Sequence, residues 1–171
     1  LYVVPKDNAE LLRSIGLPRV VELAWWQSYE VGDLRITLVP AHHWSMRSPF
    51  DKNRRLCGGF VYESPEATVY HAGDTAFRAP VFAAIGERFP GIDAALLPIG
   101  AYEPAWFMQP QHQNPEEAGR AFELLGARRF VAMHWGTFRL TDEPLAEPPA
   151  RLESWWAERG LPRDRLWIPA L

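Results

Sequence analysis

Three polar residues have the type and placement to do metal chemistry. His43 stands in Pro40-Ala41-His42-His43-Trp44, Asp74 in Ala72-Gly73-Asp74-Thr75, and His134 in Met133-His134-Trp135-Gly136-Thr137. Imidazole and carboxylate are ligands that a borderline cation such as zinc accepts at neutral pH. A carboxylate can also bridge two cations, which a histidine cannot. Gly73 and Gly136 flank two of the three, where backbone must approach something closely. Each residue also has a plainer reading. A lone histidine at a strand end is more often hydrogen-bonded structure, and an aspartate after glycine more often forms a turn. Three of them at successive strand ends leave a shared site and separate structural roles both open.

The chain has five histidines in 171 residues, so the other three matter too. His42, next to His43, should point elsewhere by alternation. His71 lies inside a predicted strand, where a buried, hydrogen-bonded ring is expected. His112 sits in a Gln/Pro-rich loop before a helix N-terminus, a place for a cap or for contact with a phosphate.

The elements that must position these residues alternate between strand and helix. Tyr2 to Val4 is a short apolar run, and Asn8 to Ile15 is amphipathic, with Asn8 as its expected N-cap and Gly16 as its stop. Leu34 to Val39 alternates like a half-buried strand. Phe60 to Glu63 and Thr68 to His71 read as a hairpin around Ser64-Pro65-Glu66. Pro80 opens a helix over Val81 to Phe89. Ala94 to Ile99 and Phe130 to Met133 are continuous apolar runs, suited to strands buried on both faces. Pro115 to Leu125 reads as a helix with Asn114 as cap, Glu116 and Glu117 in its first turn and Gly126 as its stop. The Pro-rich stretch Glu143 to Pro149 reads as a loop, Arg151 to Arg159 as a helix, and Leu166 to Ile168 as a closing strand. The sum is one α/β unit over residues 1–171.

Composition narrows the function classes. With 47% hydrophobic residues, 23% charged residues and a net charge of -3, the chain resembles an ordinary globular domain. No basic stripe points to nucleic acid, and no apolar run reaches the roughly 20 residues of a spanning helix. A single cysteine, Cys57, cannot form an internal disulfide and is expected to pack as a small hydrophobe. The location expected from these features is cytoplasmic or membrane-peripheral. Eight tryptophans are many for this length and are expected mostly in the core. Trp44, Tyr102, Trp106, Phe107 and Met108 either wall an apolar channel or pack the core. Arg47, Lys52, Arg54 and Arg55 form a basic loop, solvated by default and able to hold an acidic group.

Several runs carry a family resemblance. They are Glu22-Leu-Ala-Trp-Trp26, Pro40 to Trp44, His71-Ala-Gly-Asp-Thr75, Pro98 to Met108, Gln111-His112 with Pro115-Glu-Glu-Ala118, and His134-Trp-Gly-Thr-Phe138. In these runs and their order, the chain resembles the metallo-β-lactamase superfamily, and in detail the N-acylphosphatidylethanolamine-hydrolysing phospholipase D family with its bacterial relatives. The resemblance implies the C-terminal portion of an αββα sandwich. It implies a zinc-dependent hydrolase with two Zn2+ per complete domain, in which a metal-bridging hydroxide cleaves a phosphodiester. His43 would complete the histidine set of one metal, Asp74 would bridge both, and His134 would serve the second. His112 would lie near the substrate phosphate with Gln111 beside it, and Trp44, Tyr102 and Trp106 would line the substrate. A lactone or other ester is the alternative substrate, and an inactive, metal-free fragment or binding module is the non-enzymatic alternative.

One part of the family pattern is missing. The superfamily's His-x-His-x-Asp-His run, which supplies four of seven protein ligands, does not occur in this sequence. The expectation is therefore an incomplete domain without its N-terminal part, inactive alone, that pairs with the missing half or with another copy.

Overall fold

The computed structural model describes residues 1–170. Its centre is a seven-stranded sheet in chain order: β3 (Ser28–Val31), β4 (Leu34–Pro40), β5 (Gly58–Glu63), β6 (Thr68–His71), β7 (Ala94–Pro98), β8 (Arg129–Met133) and β9 (Leu166–Trp167). A separate parallel pair, β1 (Tyr2–Pro5) and β2 (Val20–Leu23), flanks α1 (Ala9–Ser14). Strands β3 to β6 pair antiparallel, through short turns except for the 41–57 loop between β4 and β5, whereas β6 to β9 are parallel. Parallel neighbours need crossovers. These are α2 (Ala79–Arg88), then α3 (Ala105–Met108) with α4 (Pro115–Leu125), then α5 (Glu147–Glu158).

The register explains where the core lies. Val61, Tyr70, Ala95, Phe130 and Leu166 sit opposite one another in a row across five strands. All five are buried, and they pack with Phe82 and Ile85 of α2, Phe122 and Leu125 of α4, and Leu152 and Trp156 of α5. Three helices thus cover one face of the sheet, as expected when successive parallel crossovers keep one hand. The alternate row, Phe60, His71, Leu96, Val131 and Trp167, faces the other way. Those residues are half-buried or exposed, although Leu96 and Val131 are as apolar as the residues beneath the helices. Two layers of an α/β fold are present, helices and sheet, and beyond Leu38, which is fully buried in the same row, the second sheet face is partly open among the described residues.

Local chemistry accounts for the ends of the elements. Asn114 caps α4 with a full capping box: its side chain accepts from Glu117 N, and the Glu117 side chain returns to the Asn114 amide. Gly126 ends that helix at φ +62. Asn8 stands at the expected N-cap of α1 but makes no capping bond. Its amide donates to Pro5 O and Leu56 O, and Glu22 accepts from Ala9 N at 2.6 Å instead. The expected loop at 143–149 is shorter, because Glu147, Pro148 and Pro149 form the first turn of α5. Proline is tolerated there, where its missing N–H has no intrahelical partner. Of the eight tryptophans, only Trp156 is fully buried, which corrects the expectation that most fill the core.

Candidate metal centre

The strand directions set up the site. β4 and β6 flank β5 antiparallel, so they point the same way, and β7 and β8 run parallel to β6. The segments after all four strands therefore emerge at one edge, the C-terminal ends where open α/β sheets place ligands. His43 follows β4, Asp74 follows β6, Gly100 and Ala101 follow β7, and His134 follows β8.

Four side chains meet there. His134 Nε2 lies 3.2 Å from Asp74 Oδ1. The His134 ring stacks on His112 with centroids 5.6 Å apart, and His112 meets His43 edge-on at 5.0 Å. The cluster runs His43, His112, His134, Asp74 without a break. His112 thus lies between the two histidines expected to be ligands, closer to them than its sequence position suggested.

Each group is tuned by its surroundings. The hydrogen bond from His134 holds the Asp74 carboxyl below its ordinary range despite burial, and the same bond raises the His134 imidazole. Burial, then the neighbouring His43, lowers His112 to about 4, so its ring is neutral near pH 7. His112 Nδ1 is buried and finds no hydrogen-bond partner among the described residues. His43 Nδ1 bonds the Trp44 carbonyl at 2.7 Å. A carbonyl can only accept, so Nδ1 carries a proton and Nε2 is the ring atom able to take a metal.

These donors fit zinc in chemistry: imidazoles, of which His43 has its tautomer fixed by the Trp44 carbonyl, and a carboxylate held below its ordinary range. Their arrangement is short of a full shell. Among the described residues, no three His, Cys, Asp or Glu side chains stand in a geometry that could hold a metal ion. His134 and Asp74 instead bond each other across a solvent-open edge.

The remaining expected residues divide. Trp44 stacks on His43 at 5.7 Å, and Gln111 adjoins His112 with its backbone N–H bonded to Met108 O. Tyr102 is 3% exposed, gives its hydroxyl to Glu147 and lies under the Arg151 guanidinium, so it packs beneath the edge rather than opening into it. Trp106 is 82% exposed and touches Phe107. His42 turns away to accept from Arg78, and His71 Nδ1 accepts from Gly73 N.

The model of the β-lactamase superfamily domain matches residues 3–135, which include all four clustered side chains. The chain belongs to the metallo-β-lactamase superfamily. Within that superfamily it is 39% identical over its whole length to an N-acyl-phosphatidylethanolamine-hydrolyzing phospholipase D, mitochondrial, of Saccharomyces cerevisiae, and covers 38% of that protein. It is 41% identical over 127 residues to a UPF0173 metal-dependent hydrolase of Pyrobaculum aerophilum; the match takes in 73% of this chain and 48% of that protein. The chain thus spans less than half the length of these curated relatives. Its fold is shared with an isothiocyanate hydrolase from Delia radicum gut bacteria, at TM-score 0.73 and 23% identity, over 99% of this chain and 64% of that one.

The residue that sequence reasoning missed is Glu143. Its carboxylate, 8% exposed, accepts from Ala101 N at 2.6 Å, Glu103 N at 3.1 Å and Thr141 Oγ1 at 2.8 Å. It ties the loop after β7 to the loop after β8. Both loops hold a non-glycine residue in the left-handed region, Ala101 at φ +63 and His134 at φ +58. Such residues cost about 1–3 kcal/mol each and persist only where surroundings hold them. Nothing local in the sequence separates Glu143 from the other acidic residues of a Pro-rich loop.

Proposed function

We propose that the complete protein of which this chain is part is a zinc-dependent hydrolase that cleaves the phosphodiester of a glycerophospholipid. The observation that carries this reading is the meeting of His43, His112, His134 and Asp74 at one sheet edge, in a chain 39% identical to the yeast phospholipase. His43 through Nε2, Asp74 and His134 are the residues that would hold the metal. When bound, zinc supplies Lewis-acid polarisation and water acidified toward neutral pH.

The chain's own residues do the rest. Neutral His112, wedged between His43 and His134, offers one N–H and one lone pair to a substrate oxygen without adding charge. The Trp44 carbonyl fixes the His43 ring, and Glu143 fixes the loops that carry Ala101 and His134. By itself the 171-residue chain is inactive under this proposal, because three donors divided between two metals would leave each short of the three protein ligands a catalytic zinc uses. Ligands and cover for the partly open sheet face come from further polypeptide, whether an N-terminal half or a second copy. Among the described residues no helix is long and apolar enough to cross a membrane.

The test is an assay of the complete zinc-loaded protein on N-acyl-phosphatidylethanolamine vesicles, with phosphatidic acid as the expected product. Opening of lactones with no diester cleavage would overturn the substrate class. Zinc-dependent hydrolysis by the 171-residue chain alone would refute its proposed inactivity.

A further inference from the structure

Two cavities flank the His/Asp cluster, and they differ in chemistry. On the His43 side, a cavity of about 370 Å3 is bordered by Asn8, Ser45, Arg47 and Asp74. On the His134 side, a cavity of about 260 Å3 is walled by Trp135, Phe138, Leu140, Leu145 and Pro148. We propose that the cavity on the His134 side is the subsite for a hydrocarbon arm of the substrate, and that Leu145 and Leu140 set how long an arm it takes.

Three observations lead there. The walls are apolar, yet the side chains at the rim lie open to water: Phe138 is 73% exposed and Leu140 75% exposed. An apolar rim around a concave apolar wall gains by covering it with hydrocarbon. The cavity also begins at the cluster, since His134, Gly100 and Ala101 form part of its lining. Anything bound in it has its polar end beside the clustered histidines and Asp74. Its volume is below the roughly 300 Å3 at which pockets for whole drug-sized ligands begin, so it suits one arm of a molecule.

The cavity floor is tied by hydrogen bonds: Glu143 bonds Ala101 N in the loop after β7 and Thr141 in the loop that follows His134, and Pro148 in the first turn of α5 is part of the wall. A hydrocarbon entering a preformed wall avoids the ordering cost that a loose loop would add. Arg139, which is exposed, is the one Lys or Arg side chain in the lining.

The role as a substrate arm rests on the hydrolase reading; the site for hydrocarbon rests on the cavity alone. Calorimetric titration of the 171-residue chain with neutral n-alkanols from hexanol to dodecanol tests it. Affinity is expected to rise about four-fold per added methylene until the cavity is full, then level off. Leu145→Trp, which fills the cavity, is expected to abolish binding. Leu140→Asp, at an exposed position that leaves folding intact, is expected to weaken it about ten-fold. Ile15→Ser, at an exposed residue just after α1 that lines neither cavity, is expected to leave it unchanged. A bromine-tipped undecanol is expected to quench wild-type fluorescence more than that of Trp135→Phe. Binding that survives both leucine changes, or that disappears with Ile15→Ser, overturns the assignment. Alkanol binding combined with no diester hydrolysis by the complete protein would remove only the hydrolase reading. Hydrolysis without alkanol binding would remove only the subsite.

Discussion

His134 and Asp74, 60 residues apart in sequence, bond each other at 3.2 Å across the ends of β8 and β6. Zinc titration by calorimetry checks whether the pair is a ligand pair. Asp74→Asn and His134→Asn are each expected to lower zinc affinity by more than about 100-fold, beyond the range of outer-shell changes. His42→Asn is the control, because that ring faces Arg78, and it is expected to leave affinity unchanged. Equal loss in all three variants would mean that histidine content, not this geometry, binds zinc.

Gly100 is needed for space. A Cβ there would lie 2.3 Å from His134 O and 3.2 Å from Trp135 Cα, both backbone atoms that cannot swing aside. Gly100→Ala is expected to cost about 1–3 kcal/mol by overpacking and to weaken zinc binding by moving His134. Denaturant unfolding gives the first quantity and calorimetry the second. Full stability with unchanged zinc affinity would show that the two loops are not in the contact described.

The aromatic residues separate core from edge. Trp156 packs on Phe122 and Phe130 with ring centroids 5.1 and 5.9 Å away and donates its indole N–H to Pro162 O. Trp156→Ala is expected to lose about 3–5 kcal/mol, and Trp106→Ser to stay within about 0.5 kcal/mol of wild type. Thermal melts of the two variants side by side read the difference.

Much of this was legible in the sequence, for physical reasons. Ala94 to Ile99 and Phe130 to Met133 announce buried parallel strands by continuous apolar character, and Asn114, Glu117 and Gly126 mark both ends of α4. His43, Asp74 and His134 stood out because each follows a strand that the sequence marks, β4 by alternation, β6 as half of a hairpin and β8 by continuous apolar character. Short β2 and β3 escaped because Val20–Leu23 and Ser28–Val31 are four residues each, with mixed exposure. Glu22 as a substitute cap for α1, and His112 between the two histidines, depend on contacts across the fold that no local pattern records. The buried role of Tyr102 follows from Glu147 and Arg151, more than 40 residues downstream.

Glu143 links this site to pH. Burial pushes its carboxyl up, but the Thr141 hydroxyl and the Glu103 and Ala101 amides outweigh that and hold it below its ordinary value of 4.5. A carboxyl lowered in the folded state stabilises fully above its unfolded pKa and loses that contribution as pH falls through the folded one. Glu143→Gln keeps one acceptor oxygen but turns an NH2 toward an N–H or hydroxyl partner, and is expected to cost about 1.5–3 kcal/mol at pH 7. The gap between wild type and variant should be flat from neutral pH down to about 4.5 and close below it. Urea unfolding of both proteins from pH 7 to pH 3 measures that gap. A gap that widens with acid, or none at pH 7, would mean that the carboxylate does not hold the loop after β7 to the loop after β8.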